Sequence, residues 1–252
     1  YFDYDVEDVR RIVTCVPYSW VNGVQSVTGK SRIYSQYFGK LRYEWMKRVV
    51  TSTNDDGINF LSMRYADIYL MAAEAINELD GPQAAAPYLK PILDRAYPAA
   101  KASAILAAAS ASKEAFFEEI VAQRKFEFAG ERLRKMDLIR WNRLGSALAQ
   151  TKKDMNDLAN RTGKYADVPT AIYWKNNGEV IDIVGFGHGL ISDEMAETLK
   201  LNGYTEDKNF MKLDTKYIDA LYVNDPDTKQ FWPIMDEFIN TSNNHLWNNY
   251  GY

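Results

Sequence analysis

Residues 63–79 read MRYADIYLMAAEAINEL, and this stretch decides the fold. Its apolar side chains recur at helical i, i+3, i+4 spacing, at Ile68, Met71, Ala72, Ala75, Ile76 and Leu79. Alanines at positions 72, 73 and 75 are small enough to let a neighbouring helix approach closely. Asp80-Gly81-Pro82 follows, and a glycine with a proline after it ends a helix. The stretch therefore predicts a helix from about Arg64 to Leu79 that packs against another helix.

Working outward, the sequence predicts four more helical segments, over residues 83–97, 99–111, 112–128 and about 131–148. Pro87 and Pro91 count against the first of these, because each removes a helical hydrogen-bond donor. Ser112 is placed to cap the third. Short connections between antiparallel helices suggest hairpins stacked side by side, although the tetratricopeptide residue pattern is missing. We predict a mostly α fold of stacked helical hairpins (tetratricopeptide-like) with long ordered loops and a few short strands.

Composition divides the chain into three zones within one expected domain, residues 1–252. Residues 1–60 are aromatic and β-branched, with turn signals at Asn22-Gly23, Thr28-Gly29 and Asp55-Asp56-Gly57, and predict loops with a few short strands. Residues 61–160 are helical. Residues 161–252 are rich in Gly, Asn, Asp, Tyr and Trp with little periodicity, and predict long ordered loops with short helices.

Overall composition argues against several function classes. Lysine and arginine number 30 against 34 aspartates and glutamates, so a net charge of −4 provides no basic field for nucleic acid. The sequence holds no apolar run of about 18 residues that would span a membrane. Cys15 is the single cysteine, and His188 and His245 are the two histidines. This inventory excludes an intrachain disulfide, a cysteine zinc site and a multi-histidine centre, so we expect neither a metal nor a cofactor.

Two features of the sequence could belong to the active site of an enzyme. Gly185-Phe186-Gly187-His188-Gly189 places a histidine in a glycine-rich loop, with Asp182 and Ser192 near in sequence, but without the Gly-x-Ser-x-Gly elbow of many hydrolases. We interpret it as a tight or mobile loop. The second feature is a set of charged residues that alternate in sign: Arg124, Glu127, Glu131, Arg134, Asp137 and Arg140.

Carboxylates in this charged set could serve glycoside hydrolysis. Arg124, however, follows Phe117 and Val121 and precedes Phe128 along an apolar stripe, so it would be partly buried and would need a carboxylate partner. We therefore predict an interhelical salt-bridge network.

Aromatic residues are the most unusual part of the composition, with 17 Tyr, 11 Phe and 6 Trp. Several lie in the loop-rich zones: Tyr18, Trp20, Tyr34, Tyr37, Tyr43, Trp45, Tyr173 and Trp174. Sugar rings present apolar C–H faces that stack on such rings, while Asn, Asp and Arg bind the hydroxyls. Packing accounts for part of this set, and a few exposed members are enough for a glycan site.

Three sequence blocks together resemble the SusD/RagB family. Residues 63–79 are similar to the family's RYADxxLMxAEAxNE helix. Residues 127–141, EFAGERLRKMDLIRW, resemble its ELAFEGxRxxDLxRW segment. Trp232-Pro233-Ile234, Glu237, Asn240 and the ending 249–252 are similar to its C-terminal tail. Departures fall in the second block, where Gly130 replaces a Phe, Arg132 a Gly, and Lys135 an aromatic.

This resemblance implies a function that composition alone does not. Such proteins are surface lipoproteins of the Bacteroidota outer membrane that bind glycans, or in some cases peptides, and cap a SusC-type TonB-dependent transporter. The chain would correspond to the C-terminal half, with residues 1–60 on the ligand side and the lipid anchor in the other half. Catalysis is not expected. Binding platforms of the family are built from loop aromatics, which here implicates Tyr18, Trp20, Tyr34 and Tyr37. A peptide-binding lid, a glycoside hydrolase and an interaction scaffold remain the alternatives.

Overall fold

A computed structural model of the chain describes residues 1–27, 32–45, 61–243 and 245–248. These residues include ten α-helices: α1 Arg10–Thr14, α2 Tyr65–Asp80, α3 Pro82–Ala96, α4 Ala99–Ala109, α5 Lys113–Glu127, α6 Arg134–Arg140, α7 Leu144–Asn160, α8 Asp193–Leu201, α9 Thr215–Asp219 and α10 Asp236–Thr241. They also include seven short strands: β1 Cys15–Val16, β2 Ser19–Val21, β3 Val24–Ser26, β4 Tyr37–Phe38, β5 Ile172–Asn177, β6 Val180–Val184 and β7 Thr205–Asp207. The mostly α prediction is confirmed. The chain divides into two units, residues 1–134 with 167–212, and residues 135–166 with 213–252.

The helical hairpins of the first unit follow from their connections. Gly81 joins α2 to α3 with φ +89°, and its N–H donates to the carbonyls of Ile76 and Asn77. Glycine occupies this left-handed region without the steric cost that a Cβ brings. The α3 helix begins at Pro82 and contains both Pro87 and Pro91, so the two prolines do not prevent the predicted helix. In α5, Ser112 Oγ accepts from the Ala115 N–H at 3.1 Å and caps the helix as predicted.

The core lies where α2, α3, α4 and α5 pack together, around the fully buried Leu70, Leu89, Leu93, Phe116 and Ile120. The apolar spacing that predicts α2 does not mark its buried face. Ile68, Met71 and Leu79 are exposed, while Leu70 and Ala73 face the core. Both faces of α2 are apolar, and a periodicity argument detects the helix without choosing between them.

One predicted helix is wrong in its extent. The segment expected to be helical from about 131 to 148 contains the end of a turn, α6, a break and the beginning of α7. Arg132 has φ +64° and Asn142 has φ +53°, and a residue in this left-handed region cannot continue a right-handed helix. Leu144 then begins a helix that runs to Asn160, well beyond the predicted end.

The third zone contains a sheet that the sequence analysis did not predict. Strands β6, β5 and β7 pair antiparallel in that order, with Asn177 opposite Val180 and Ile172 opposite Asp207. Gly178, with φ +67°, begins the tight turn between β5 and β6. In the first zone, β2 and β3 form a hairpin around the predicted turn at Asn22 and Gly23, both at positive φ. The other two turn signals of this zone extend into residues 28–31 and 46–60, outside the described residues.

Three of the six residues of the charged set, Arg124, Glu127 and Glu131, form ion pairs that connect elements of the first unit, whereas Asp137 pairs with Arg140 within α6. Arg124 Nη1 lies 2.8 Å from Asp67 Oδ1 and joins α5 to α2. Glu127 accepts from Arg10, Arg64 and Arg95 at 3.1, 2.6 and 2.5 Å. The next carboxylate along the chain, Glu131, binds Arg64 and Lys40.

Candidate functional site

The β2–β3 hairpin presents two of the predicted aromatic residues to one carboxylate. Tyr18 precedes β2 and donates from its hydroxyl to Glu44 Oε1 at 2.8 Å. Trp20, within β2, donates from Nε1 to Glu44 Oε2 at 2.9 Å. Each carboxylate oxygen therefore fixes the polar edge of one ring, while both rings stay partly exposed to solvent. We call Tyr18, Trp20 and Glu44 the Glu44 cluster.

Electrostatics keep the cluster in one protonation state at neutral pH. Burial opposes ionisation of Glu44, but hydrogen bonds from its own backbone N–H, from Tyr18 and from Trp20 outweigh burial and lower the pKa of Glu44. Burial and the bond to Glu44 raise the pKa of Tyr18 to about 12. Arg42 Nη1 lies 3.9 Å from Glu44 Oε1 and offsets its charge. The carboxylate is therefore ionised and accepts hydrogen bonds, and the phenol is neutral and donates one.

Further aromatic rings extend the surface. Tyr37 lies in β4 directly opposite Val16 of β1, and Val16 is two residues before Tyr18. Tyr37 is 38% exposed. Tyr34 is 50% exposed in the preceding turn. The Arg42 guanidinium stacks over the exposed Trp45 ring at 5.0 Å from its centroid. The fold thus places Tyr18 and Trp20 together on Glu44 and Tyr37 on the neighbouring strand pair, and Tyr34 lies in the turn that precedes β4.

Sequence reasoning missed Glu44, which holds the two rings, and did not select Trp45. The partners of Glu44 are 26 and 24 residues away, so local spacing gives no signal for them. Conversely, Tyr173 belongs to the core, because it is buried in β5 and donates to Glu206 at 2.9 Å.

The carboxylates of the charged set do not provide a hydrolase pair. Burial would raise the pKa of Glu127, but hydrogen bonds and charges from Arg64 and Arg95 lower it to about 2. Lys40 and Arg64 likewise lower the pKa of Glu131 against the effect of burial. Glycoside hydrolysis needs one carboxyl group that is protonated and donates to the leaving oxygen. Both groups are ionised at neutral pH and occupied by cations, so neither fits that role.

His188 has partners other than its neighbours in sequence. Its Nδ1 lies 2.7 Å from Asp167 Oδ1 and its Nε2 lies 2.9 Å from the Phe2 carbonyl oxygen. Asp182 instead accepts from the Tyr204 hydroxyl, and the Ser192 Oγ caps α8. The glycine-rich loop is a structural contact to the chain's first residues rather than a nucleophile-bearing triad.

Within residues 1–27, 32–45, 61–243 and 245–248, no three His, Cys, Asp or Glu side chains are grouped so as to hold a metal ion. None of the helices within these same ranges has the length and apolar character needed to cross a bilayer.

A sequence model described as the SusD family matches residues 16–252, which include the Glu44 cluster and nearly the whole helical region. The chain belongs to the SusD family. The SusD family consists of binding proteins. A relative from Formosa agariphila named SusD-like protein P25 is 34% identical over 116 residues, which covers 43% of this chain and 21% of the relative. The chain thus spans about a fifth of that relative's length. No solved structure matches.

Family membership explains the helical sequence blocks better than it explains the ligand site. Arg64 and Asp67 of the first block bind Glu127 and Arg124, so the two blocks resembling SusD/RagB meet in the ion-pair network. The departures in the second block have a backbone counterpart. Gly130 has φ +84° and Arg132 has φ +64°, so both departing residues have left-handed backbone conformations. The glycine of this segment lies at the first of these two positions and adopts that conformation without a steric cost. These blocks build the scaffold, whereas the aromatic surface belongs to short strands and turns outside the two blocks.

Proposed function

We propose that this protein of the SusD family binds a glycan or oligosaccharide at the cell surface and delivers it to a SusC-type TonB-dependent transporter of the outer membrane. In this proposal the protein is an outer-membrane lipoprotein of the Bacteroidota, and residues 1–60 form its ligand side. The ligand platform is Tyr18, Trp20, Tyr34 and Tyr37. A peptide ligand is the alternative outcome of the test below.

The single observation that carries the proposal is the shared hydrogen bonding of Tyr18 and Trp20 to Glu44 at 2.8 and 2.9 Å. A ring whose polar edge is fixed keeps its apolar face in one orientation, which lowers the entropy lost when a sugar stacks on it. Glu44 is ionised and each of its oxygens has more than one lone pair, so it can also accept from a sugar hydroxyl. A flat apolar ring beside a charged acceptor matches the two kinds of surface that a pyranose presents.

The transporter and the membrane location rest on family membership. The aromatic platform supports a ligand with C–H faces, and the net charge of −4 gives no general attraction for an anionic polymer. Carboxylates that are ionised and bound by arginines, such as Glu127, support binding without turnover.

The experiment is a titration of the protein with a panel of soluble neutral and acidic polysaccharides. Tryptophan fluorescence monitors binding, and calorimetry repeats the measurement. We expect saturable binding of one glycan class and loss of that binding in Trp20→Ala. The matched control is Trp232→Ala, because Trp232 is 90% exposed and lies in the other unit. Binding of peptides but not of any glycan would show that the ligand is a peptide. Equal losses of binding in Trp20→Ala and Trp232→Ala would contradict the proposal that Trp20 belongs to the ligand platform.

A further inference from the structure

A cavity of about 380 Å³ lies in the first unit, apart from the hydrogen bonds of the Glu44 cluster. It opens to solvent and is lined by α1, the segment around Phe38–Leu41, Leu61 and the turn that follows α5. Pockets of this size that combine apolar walls with a few polar groups are the usual form of small-ligand sites.

The walls of the cavity are mainly apolar. Val13 lies in α1 and Val9 is the residue before this helix. Phe38 and Leu41 line the cavity from the segment of residues 38–41. Phe38 and Leu41 are both largely exposed, although each is a large apolar side chain. Covering such surface with an apolar ligand body removes it from water, which favours binding at roughly 25 cal/mol per Å².

The charges at the cavity do not balance. Direct ion pairs link four cations to three carboxylates, namely Arg10, Lys40, Arg64 and Arg95 with Asp8, Glu127 and Glu131. Six of these seven residues line the cavity. Among the described residues, this directly paired group therefore carries one excess positive charge. Glu119 adjoins the group through Gln123, which donates to Glu119 and accepts from Arg10, but Glu119 does not line the cavity.

Arg95 is the cation best placed to use that excess. Its Nη2 donates to Glu127 Oε1 at 2.5 Å, yet its side chain is 54% exposed, whereas the Glu127 side chain is 1% exposed. Arg95 therefore lies where the cavity meets solvent. A guanidinium carries five N–H donors in a planar fork that suits a carboxylate.

We propose that this cavity binds a small amphipathic anion, in which one carboxylate contacts Arg95 and an apolar body lies against Val13, Phe38 and Leu41. The anion neutralises the excess charge of the ion-pair group, and the apolar body covers the exposed aliphatic and aromatic surface. This site is independent of the proposed glycan platform.

The test uses the 252-residue chain with 4-phenylbutyrate as the probe and 4-phenylbutanamide, its uncharged counterpart, as the control ligand. Calorimetry and saturation-transfer NMR measure both. We expect saturable binding of the carboxylate and at least about tenfold weaker binding of the amide, since a charge-assisted hydrogen bond contributes that much. Arg95→Gln, a change at a half-exposed position, should weaken binding of the carboxylate by at least about tenfold and leave the amide unaffected.

Two tryptophan variants locate the probe. Leu41→Trp should fill the cavity and abolish binding of 4-phenylbutyrate, while Leu201→Trp places the same side chain at another exposed leucine and should not. Trp20→Ala should also keep binding of the probe, which separates this site from the glycan platform. Equal affinity for the acid and the amide, unchanged binding in Leu41→Trp, displacement of the probe by a neutral oligosaccharide, or absence of saturable binding would each overturn the proposal.

Discussion

Arg124 on α5 donates from Nη1 to Oδ1 of Asp67 on α2 across 2.8 Å, with side chains that are only 4% and 9% exposed. The Arg124 guanidinium also lies over the Phe128 ring, 4.9 Å from its centroid. The pair therefore ties α2, which carries the first sequence block resembling SusD/RagB, to α5, whose last residue begins the second block. Because both charges are buried, removing either partner leaves the other with a less compensated charge.

We predict that Asp67→Asn destabilises the protein by about 3 kcal/mol, because it leaves the Arg124 charge buried without its carboxylate. Urea unfolding measures the change. The matched control is Lys90→Gln, which breaks the exposed i, i+4 pair with Asp94 and should cost less than about 0.5 kcal/mol. Similar losses in the two variants would show that the buried pair is not a main link between α2 and α5.

A second prediction concerns acid stability and Glu127. Arginine neighbours lower its pKa to about 2 in the folded chain, below its ordinary value of 4.5. The unfolded state therefore binds the proton more tightly, and the stability from Glu127 is present above pH 4.5 and is lost as pH falls towards 2. Its size is about 3 kcal/mol by linkage.

Unfolding of Glu127→Gln as a function of pH tests this effect. The variant should be less stable than the parent at pH 7 and should lose less stability between pH 5 and pH 3. Glu78→Gln, at an exposed position of α2, is the control and should follow the parent. Parallel pH profiles for parent and Glu127→Gln would contradict the assignment.

A third prediction separates backbone strain from crowding at two glycines. Gly130 has φ +84°, and a Cβ there would lie 2.6 Å from Phe38 Cδ1. Gly203 has φ +83°, and the space around its Cβ position is open to 4 Å. Gly203→Ala should therefore cost about 1 kcal/mol from strain alone, and Gly130→Ala about 2 to 3 kcal/mol. Thermal unfolding measures both, and Phe38→Ala should reduce the cost of Gly130→Ala.

A fourth prediction follows from the two acceptors around His188. Asp167 Oδ1 and the Phe2 carbonyl oxygen can both be satisfied only when the imidazole is protonated at both nitrogens. Burial lowers the pKa of His188, but the bonds to Phe2 and Asp167 outweigh it and raise the value above 6.5. The stability from this contact is therefore complete below pH 6.5 and is lost as pH rises through the raised pKa.

NMR titration of the His188 ring protons checks this prediction, and Asp167→Asn should move the midpoint back towards 6.5. A midpoint at or below 6.5 in the parent chain would contradict it.

The helical part of the fold could be predicted because its signals are local. Periodicity over 64–79, the cap at Ser112 and the glycine at 81 each act within a few residues. The break at Asn142 left a signal that the sequence analysis did not use, because asparagine adopts the left-handed region more readily than most residues and often follows the end of a helix. The β5–β6 hairpin left a signal, Asn177-Gly178 between apolar strands, that the sequence analysis did not use.

The sequence predicts the type of candidate site but not the residues that assemble it. Loop aromatics indicate a stacking surface, but the choice of partners depends on tertiary structure. Glu44 meets Tyr18 and Trp20 across more than 20 residues, and the cavity beside Arg95 is assembled from segments far apart in the chain. Long-range contacts of this type leave no spacing to detect.

Calorimetric titration of the parent chain, Glu44→Gln and Trp20→Ala with the glycan selected from the panel tests the central claim most directly. Glu44→Gln keeps the size of the side chain but removes its charge and one of its two acceptor oxygens, so the rings lose part of their anchorage. We predict that Trp20→Ala abolishes measurable binding, since stacking on a tryptophan is the main contact. Glu44→Gln should weaken binding by about tenfold, because a charge-assisted hydrogen bond contributes at least this much. Full affinity in both variants would contradict the claim that the Glu44 cluster forms the glycan platform.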